Sequence, residues 1–275
     1  MKKIPRAGVI GHPIRHSLSP KLHGHWLRHY DLPGEYTAIH VTEDELEAKL
    51  RSLVNEGFVG INVTLPHKVS VLKYADHVSD RATLVGAANT LTFNEDGRIF
   101  ADNTDGYGFM ANLHQGAPDW DPKSGPAAIF GAGGAAQAII VALADAGVPE
   151  ILLSNRTRAK SEALRAEFGT RITVVDWLQA GTMLETATTV INTTSLGMKG
   201  AHPFKVNMDA LRPDAVVTDI VYNPLRTSFL ETAAAAGCQT VDGLGMLLHQ
   251  GVPGFERWFG RRPEVDDDTR KAILV

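Results

Sequence analysis

The chain has 275 residues, of which 44% are hydrophobic and 21% charged, and its formal net charge at pH 7 is −4. This length fits one large or two moderate domains, and the slightly acidic balance argues against a general nucleic-acid-binding surface. The single cysteine, Cys238, excludes an internal disulfide framework, and no apolar run approaches the ~20 residues of a membrane span. We therefore expect a cytoplasmic protein with neither a nucleic-acid nor a membrane partner.

The first predicted strand, residues 6–10, leads into a loop rich in Gly, Pro and Ser. Ser19 is expected to cap the next helix, with Pro20 at the first helical position. Ser17 and Ser19 thus lie where a strand gives way to a helix, as ligand-binding hydroxyls or as turn and cap residues only. The five histidines between positions 12 and 29 have no further metal ligand nearby, so no metal site is predicted.

Polar residues also follow the predicted strand 59–63. Asn62 and Thr64 lie at its carboxyl end, which is the ligand-binding edge of open α/β sheets. A helix is expected to begin near Pro66, which would place Lys68 in its first turn, where the helix dipole disfavours a cation. Lys68 is therefore expected to need a partner.

A β-hairpin is predicted over residues 84–101, with its turn at 94–97. Asn89 lies in the segment that leads into the hairpin turn. The segment that follows is Asp102-Asn103-Thr104-Asp105, and two acids and an amide packed so closely are either turn chemistry or a site.

The middle of the chain has a strand, a tight turn and a helix over residues 127–142. In such a turn, glycines let the backbone approach a pyrophosphate, and the helix N-terminus offers unpaired N–H groups to it. The turn residues predicted to bind a dinucleotide are Gly131, Ala132, Gly133, Gly134 and Ala135.

The next apolar run ends about two dozen residues after Gly131, where a dinucleotide-binding unit holds the adenine ribose. No acid stands there for a 2′-hydroxyl. A guanidinium can instead hold a 2′-phosphate, so we expect NADP rather than NAD. The residues predicted to surround that phosphate are Asn155, Arg156, Thr157, Arg158 and Lys160.

The remaining apolar runs, at 172–175, 188–191, 216–220 and 239–241, alternate with helical segments and predict a mostly parallel sheet with helices on both faces. A helix is expected from about residue 243, with a break at Pro253-Gly254. A last helix is expected over 265–274.

Taken together, the motifs resemble the shikimate dehydrogenase family over nearly the whole chain. They are 16–20 (HSLSP), 62–68 (NVTLPHK), 88–90 (ANT), 102–106 (DNTDG), 131–135 (GAGGA), 155–157 (NRT) and 242–250 (DGLGMLLHQ). The resemblance implies a two-domain α/β fold. Its N-terminal α/β substrate domain, 1–105, is completed by C-terminal helices over 246–275. An inserted Rossmann-type, doubly wound parallel sheet over 106–245 binds NADP.

The activity that the resemblance implies is the NADPH-dependent reduction of 3-dehydroshikimate to shikimate in aromatic amino-acid biosynthesis, by a monomer or homodimer. Substrate and nicotinamide would meet in the cleft between the domains. Lys68 and Asp105 match the catalytic pair of the family. The matching substrate contacts are Ser17, Ser19, Thr64, Asn89, Tyr222 and Gln250, with Asn62 near them. Further cofactor contacts expected at the strand ends and at the start of the helix from about residue 243 are Thr193, Ile220, Gly243 and Met246.

The chemistry is consistent with that assignment, because ketone reduction needs a hydride on carbon and a proton on oxygen, and an ammonium beside a carboxylate can supply the proton. Two departures, His67 where relatives often have Phe and Gly251 where Ala is usual, remove no functional group. Three alternatives stay open: a quinate/shikimate dehydrogenase, a related folate-pathway dehydrogenase and an NADP-binding sensor without turnover. Ser at both 17 and 19 favours shikimate, and the Lys68–Asp105 pair argues against a sensor.

Overall fold

A computed structural model describes residues 4–274 of the chain. The chain divides into two compact units, Met1–Asp105 with Leu248–Val275 and Gly106–Leu247. Each unit is built on its own six-stranded sheet.

The first unit alternates strands and helices and then ends in a hairpin. Its elements are β1 (Arg6–Gly11), α1 (Ser19–His29), β2 (Glu35–His40), α2 (Leu46–Asn55), β3 (Phe58–Val63), β4 (His77–Val78), α3 (Asp80–Val85), β5 (Thr90–Phe93) and β6 (Ile99–Asp102). The sheet order is β2-β1-β3-β5-β6-β4, with β1 parallel to β2 and β3, and β5 antiparallel to β3 and β6. The predicted hairpin is confirmed as β5–β6.

The second unit holds an entirely parallel sheet. Its elements are α4 (Asp105–Gly116), β7 (Ala127–Phe130), α5 (Gly134–Ala146), β8 (Ile151–Ser154), α6 (Arg158–Phe168), β9 (Ile172–Val174), β10 (Thr189–Asn192), β11 (Val216–Asp219), α7 (Ser228–Ala235) and β12 (Gln239–Val241). The order β12-β11-β10-β7-β8-β9 is that of a doubly wound dinucleotide-binding sheet, as predicted. All four residues of β7 are buried, and so are those of β10 and β11, as expected for strands covered on both faces.

Two helices close the chain, α8 (Leu244–Phe259) and α9 (Asp267–Leu274). The expected break at Pro253 is wrong, because α8 continues through it. A proline removes one helical hydrogen bond, and here burial outweighs that loss. Val252, Phe255 and Trp258 on either side of Pro253 are all at most 4% exposed.

The predicted cap at Ser19 is also wrong. Leu18 occupies the cap position of α1 without a side-chain hydrogen bond, and Ser19 is the first helical residue. The Ser19 backbone N–H is instead directed at the Ser17 hydroxyl, 3.3 Å away. The Ser19 hydroxyl is therefore not used to cap the helix.

Candidate active site and nucleotide site

The Lys68 ammonium donates a hydrogen bond to Oδ2 of Asp105 at 2.7 Å. The Asp105 side chain is only 6% exposed, whereas that of Lys68 is 28% exposed, so a ligand can reach the ammonium. Asp105 begins α4, where the positive end of the helix dipole favours a carboxylate. Lys68 itself lies in a turn before the 3-10 helix Ser70–Tyr74, so its predicted place in a helical first turn is wrong.

Asn89 connects the carboxylate to its surroundings. Its amide nitrogen donates to Oδ1 of Asp105 at 2.8 Å and lies 3.5 Å from Oε1 of Gln250. Its amide oxygen accepts from the Thr104 backbone N–H at 2.9 Å and lies 3.0 Å from the Thr90 hydroxyl. These partners fix which way the amide points, and both carboxylate oxygens of Asp105 are engaged.

Asn62 has its hydrogen-bonding groups directed at the protein. Its amide oxygen accepts from the Tyr36 hydroxyl at 2.6 Å, and its amide nitrogen lies 3.2 Å from both the Asn89 carbonyl and the Thr90 hydroxyl. Beneath it, His23 stacks on Tyr36 with ring centroids 3.9 Å apart. Burial lowers the pKa of His23 to about 3, so this imidazole is neutral. Neither aromatic residue is among those predicted for the site, because no local pattern links them to Asn62.

The loop after β1 and the turn after β3 lie together, because their strands are parallel neighbours. The His12 N–H donates to the Leu65 carbonyl at 3.0 Å, and the Thr64 N–H donates to the Ile10 carbonyl at the same distance. Ser17 and Ser19 on the loop and Thr64 on the turn are all partly exposed. The structure therefore brings these three hydroxyl-bearing residues to one sheet edge with Lys68.

His67, next to Lys68, is fully buried. Its Nε2 lies 2.8 Å from the Val41 carbonyl and must be the protonated nitrogen, since a carbonyl only accepts. This bond ties the turn that carries Lys68 to the segment after β2. A phenylalanine at this position could not make it.

The glycine turn joins β7 to α5. Gly131 has φ +111°, and a Cβ there would come within 2.5 Å of the Thr193 hydroxyl, which donates to the Phe130 carbonyl at 2.8 Å. A Cβ at Gly133 or Gly134 would instead meet nothing within 4 Å. Helix α5 begins with no side-chain cap and no acid in its first turn. Its N-terminal N–H groups thus face an open space suited to an anion.

The predicted 2′-phosphate residues differ in availability. The Arg158 guanidinium donates to Glu162 at 2.9 Å and lies 3.8 Å from Asp176. Within residues 4–274, no ion pair engages the exposed side chains of Arg156 and Lys160. The Asn155 amide donates to the Thr157 carbonyl at 2.9 Å, which shapes the turn before α6.

A cavity of about 860 Å³ opens beside Asn155 and Arg156. Trp177 lines it, together with Thr194 and Ser195 from the segment after β10. A cavity of this volume can hold a nucleobase-sized ligand, and the polar side chains that line it can form hydrogen bonds with one.

The ends of β10 and β11 are held by Asp219, a residue that the sequence did not single out. Its buried carboxylate accepts from Asn192 at 3.0 Å, from the Val221 N–H at 2.9 Å and from Thr227 at 2.6 Å. Burial nevertheless raises the pKa of Asp219 to about 6. The network fixes the backbone that leads into Tyr222.

The remaining predicted residues are Ile220, Tyr222, Gly243 and Met246, and all of them belong to the second unit. The predicted substrate contacts other than Tyr222 belong to the first unit. Tyr222 is half-buried, which raises the pKa of its hydroxyl. A Cβ at Gly243 would lie 2.5 Å from the Ile220 carbonyl, so these two backbones need glycine to approach each other. Met246 is 9% exposed and belongs to the core of this unit.

Two features are absent from residues 4–274. No group of three or more His, Cys, Asp or Glu side chains there is arranged to hold a metal ion. No helix in that part of the chain is long and apolar enough to cross a membrane.

Three family models match the chain. Residues 9–91 match the shikimate dehydrogenase substrate binding domain, residues 119–208 match shikimate / quinate 5-dehydrogenase, and residues 243–273 match the shikimate 5′-dehydrogenase C-terminal domain. The matched segments include the Lys68 turn, the glycine turn and Gln250.

Relatives match over the full length. A shikimate dehydrogenase (NADP(+)) from Cereibacter sphaeroides is 62% identical, covering 99% of this chain and 98% of its own. The crystal structure of shikimate 5-dehydrogenase from Thermus thermophilus, in complex with NADP(H) and shikimate, is 35% identical with a TM-score of 0.88, covering 98% and 99%. Quinate dehydrogenase from Corynebacterium glutamicum, in complex with NAD, is 30% identical with a TM-score of 0.91, covering 98% and 99%.

Proposed function

The chain belongs to the shikimate dehydrogenase family, and from this membership we propose that it catalyses the reversible, NADP-dependent reduction of 3-dehydroshikimate to shikimate in aromatic amino-acid biosynthesis. The observation that carries the proposal is the partly exposed Lys68 ammonium, 2.7 Å from the buried Asp105 carboxylate. We propose that the enzyme works in the cytoplasm as a monomer or homodimer.

The Lys68–Asp105 pair performs the proton half of the reaction. The nicotinamide, when bound, supplies or accepts the hydride. The Lys68 ammonium donates a hydrogen bond, and then a proton, to the carbonyl oxygen as negative charge develops on it. Asp105 orients the ammonium through Oδ2, while Asn89 holds Oδ1.

The proposed substrate domain is 1–105 completed by 246–275. Ser17, Ser19 and Thr64 are partly exposed residues whose hydroxyl groups suit a small polyhydroxylated acid, and with Gln250 and Tyr222 they are the proposed contacts. Asn62 has both amide groups engaged within the protein, so its proposed part is to hold Asn89 and Thr90 in place.

The proposed NADP-binding domain is 106–245. The pyrophosphate is expected over the open space at Gly133 and Gly134, and the adenosine in the cavity beside Asn155. Because Arg158 already pairs with two carboxylates, Arg156 is the main proposed ligand of the 2′-phosphate, with Lys160 beside it.

Replacing Lys68 by Ala tests the catalytic assignment. We expect kcat to fall about 10²–10⁴-fold with little change in KM for shikimate, because a proton donor acts mainly in the transition state. The matched control is Lys73→Ala, which removes an exposed lysine from the adjoining 3-10 helix and should keep wild-type kinetics. Near-native turnover by the Lys68 variant would remove this residue from the chemistry.

Shikimate and quinate, each assayed with NADP+ and with NAD+ by absorbance at 340 nm, separate the proposal from the quinate alternative. We expect shikimate with NADP+ to be the best pair. Arg156→Ala should raise the KM for NADP+ about 10–100-fold and leave that for NAD+ nearly unchanged, as expected for a lost charge-assisted contact. Arg158→Ala serves as the matched control and should raise the KM for NADP+ less than Arg156→Ala does. Equal increases would contradict the proposal that Arg156 is the main ligand of the 2′-phosphate.

A further inference from the structure

Asp102 has an unusual number of donors for one carboxylate. Its side chain is 1% exposed, and it accepts from the Ser79 hydroxyl at 2.7 Å and from the Asn103 N–H at 2.8 Å. The guanidinium groups of Arg81 and Arg257 both donate to the same oxygen, Oδ2, at 2.9 and 2.7 Å. One arginine neutralises this charge, so the second needs a different explanation.

The two arginines come from different elements. Arg81 lies on α3, close in sequence to Ser79, whereas Arg257 lies on α8, the helix that carries Gln250. Gln250 and Arg257 are seven positions apart, which is about two helical turns, so they share a face and are separated by about 10 Å along the axis. Their hydrogen-bond partners, Thr104 and Asp102, are two positions apart, Asp102 at the end of β6 and Thr104 just after it.

This face of α8 is attached to the sheet at three points. The Thr104 hydroxyl lies 2.9 Å from the backbone carbonyl of Gln250, Arg257 reaches Asp102, and the Trp258 indole N–H donates to the Leu91 carbonyl at 3.1 Å. The Arg257 guanidinium also lies over the Phe100 ring, 5.6 Å from its centroid, which directs the side chain toward Asp102. Among these links, the one to Arg257 is charge-assisted and hence the strongest.

We propose that Arg257 is a positioning residue for substrate binding: by anchoring α8 to Asp102 it fixes the rotation of the helix and its position along its own axis, and so places the Gln250 amide beside Asn89. The proposal rests on the proposed function, in which Gln250 contacts the substrate. Arg81 holds the same oxygen but does not hold α8, and thus is not expected to act through Gln250.

A double-mutant cycle tests this with purified full-length protein, shikimate and NADP+. Arg257→Met is expected to raise the KM for shikimate about fivefold, with kcat and the KM for NADP+ within about twofold. In the Gln250→Ala background the same change should add less than about twofold, because the group that Arg257 positions is already gone. Arg257→Lys, which keeps a donor, should recover part of the loss.

Arg81→Met is the matched control, since it removes the same charge from the same oxygen. It is expected to change KM by the same factor with and without Gln250. If Arg257→Met also changes the KM for shikimate by the same factor with and without Gln250, the role of Arg257 is structural and the proposal fails. If Arg257→Met does not fold, Arg257→Lys in the two backgrounds decides by the same criterion. A wild-type enzyme inactive on shikimate would instead refute the proposed function.

Discussion

Gly133→Ala separates the binding role of the glycine turn from its folding role. Gly133 has φ −100° and ψ −173°, a conformation that alanine adopts without strain, and a Cβ there meets nothing within 4 Å. The cost to folding is then limited to the poorer cap that alanine gives α5, at most about 1 kcal/mol. In a unit of this size, that lowers Tm by about 2–4 °C.

The same methyl group occupies the space where the pyrophosphate is expected to approach the N–H groups of α5. Each charge-assisted hydrogen bond lost there is worth about 1.5–3 kcal/mol. The expected loss in NADP+ affinity is therefore about 10–100-fold.

Titration calorimetry with NADP+ and thermal unfolding without ligand measure the two effects separately. Gly243→Ala is the matched contrast, because its Cβ would lie 2.5 Å from the Ile220 carbonyl. It should lose several degrees more in Tm than Gly133→Ala does. Wild-type NADP+ affinity in a folded Gly133→Ala protein would show that the phosphates do not lie at this turn.

Three further predictions concern buried ionisable side chains. The pKa of Asp219 is raised from 3.8 to about 6, so its protonation stabilises the fold by about 3 kcal/mol at low pH, and this stabilisation is lost as pH rises through 6. Asp219→Asn should flatten the dependence of the free energy of urea unfolding on pH between about 4 and 6. The pKa of His23 is lowered from 6.5 to about 3, so the free energy of unfolding falls by up to about 5 kcal/mol as pH falls from 6.5 toward 3. His23→Phe should remove this loss of stability at low pH, whereas Asp219→Asn should remove a gain. Asp102→Asn should lower the free energy of unfolding by about 3 kcal/mol at pH 7, measured by urea titration, and a loss below 1 kcal/mol would contradict the importance of its two arginines.

The second unit was predictable because its signals are local. The central strands β7, β10 and β11 are short, fully buried runs, and the turn at Gly131 needs a residue that tolerates φ +111°. In the first unit, β1, β3 and the β5–β6 hairpin were predictable, but β4, α3 and the order of the strands were not. Nothing local places β5 between β3 and β6, or the short β4 at the edge beside β6.

Local rules failed where tertiary packing decides. Pro253 predicts a break, yet the buried residues around it keep α8 continuous. Lys68 was expected to need a partner because of a helix dipole, and no helix is present at that residue. The carboxylate of Asp105 does lie beside it, from 37 positions away in the chain, and the catalytic part of the pair remains a prediction.

Availability is the property of a site residue that the sequence cannot report. A polar residue at the carboxyl end of a strand is equally visible in the sequence whether its groups face a ligand or the protein. Asn62 and Arg158 match the expected pattern, but Tyr36 and Glu162 already occupy them. Lys68 is partly exposed beside its carboxylate, so it can still bind a ligand. A hydrogen bond that already exists must be broken before the same group can bind a ligand. Substitutions at residues whose polar groups are already bonded to the protein should therefore act through the geometry of their neighbours, whereas substitutions at residues whose polar groups are free to bind a ligand should act on binding or turnover directly.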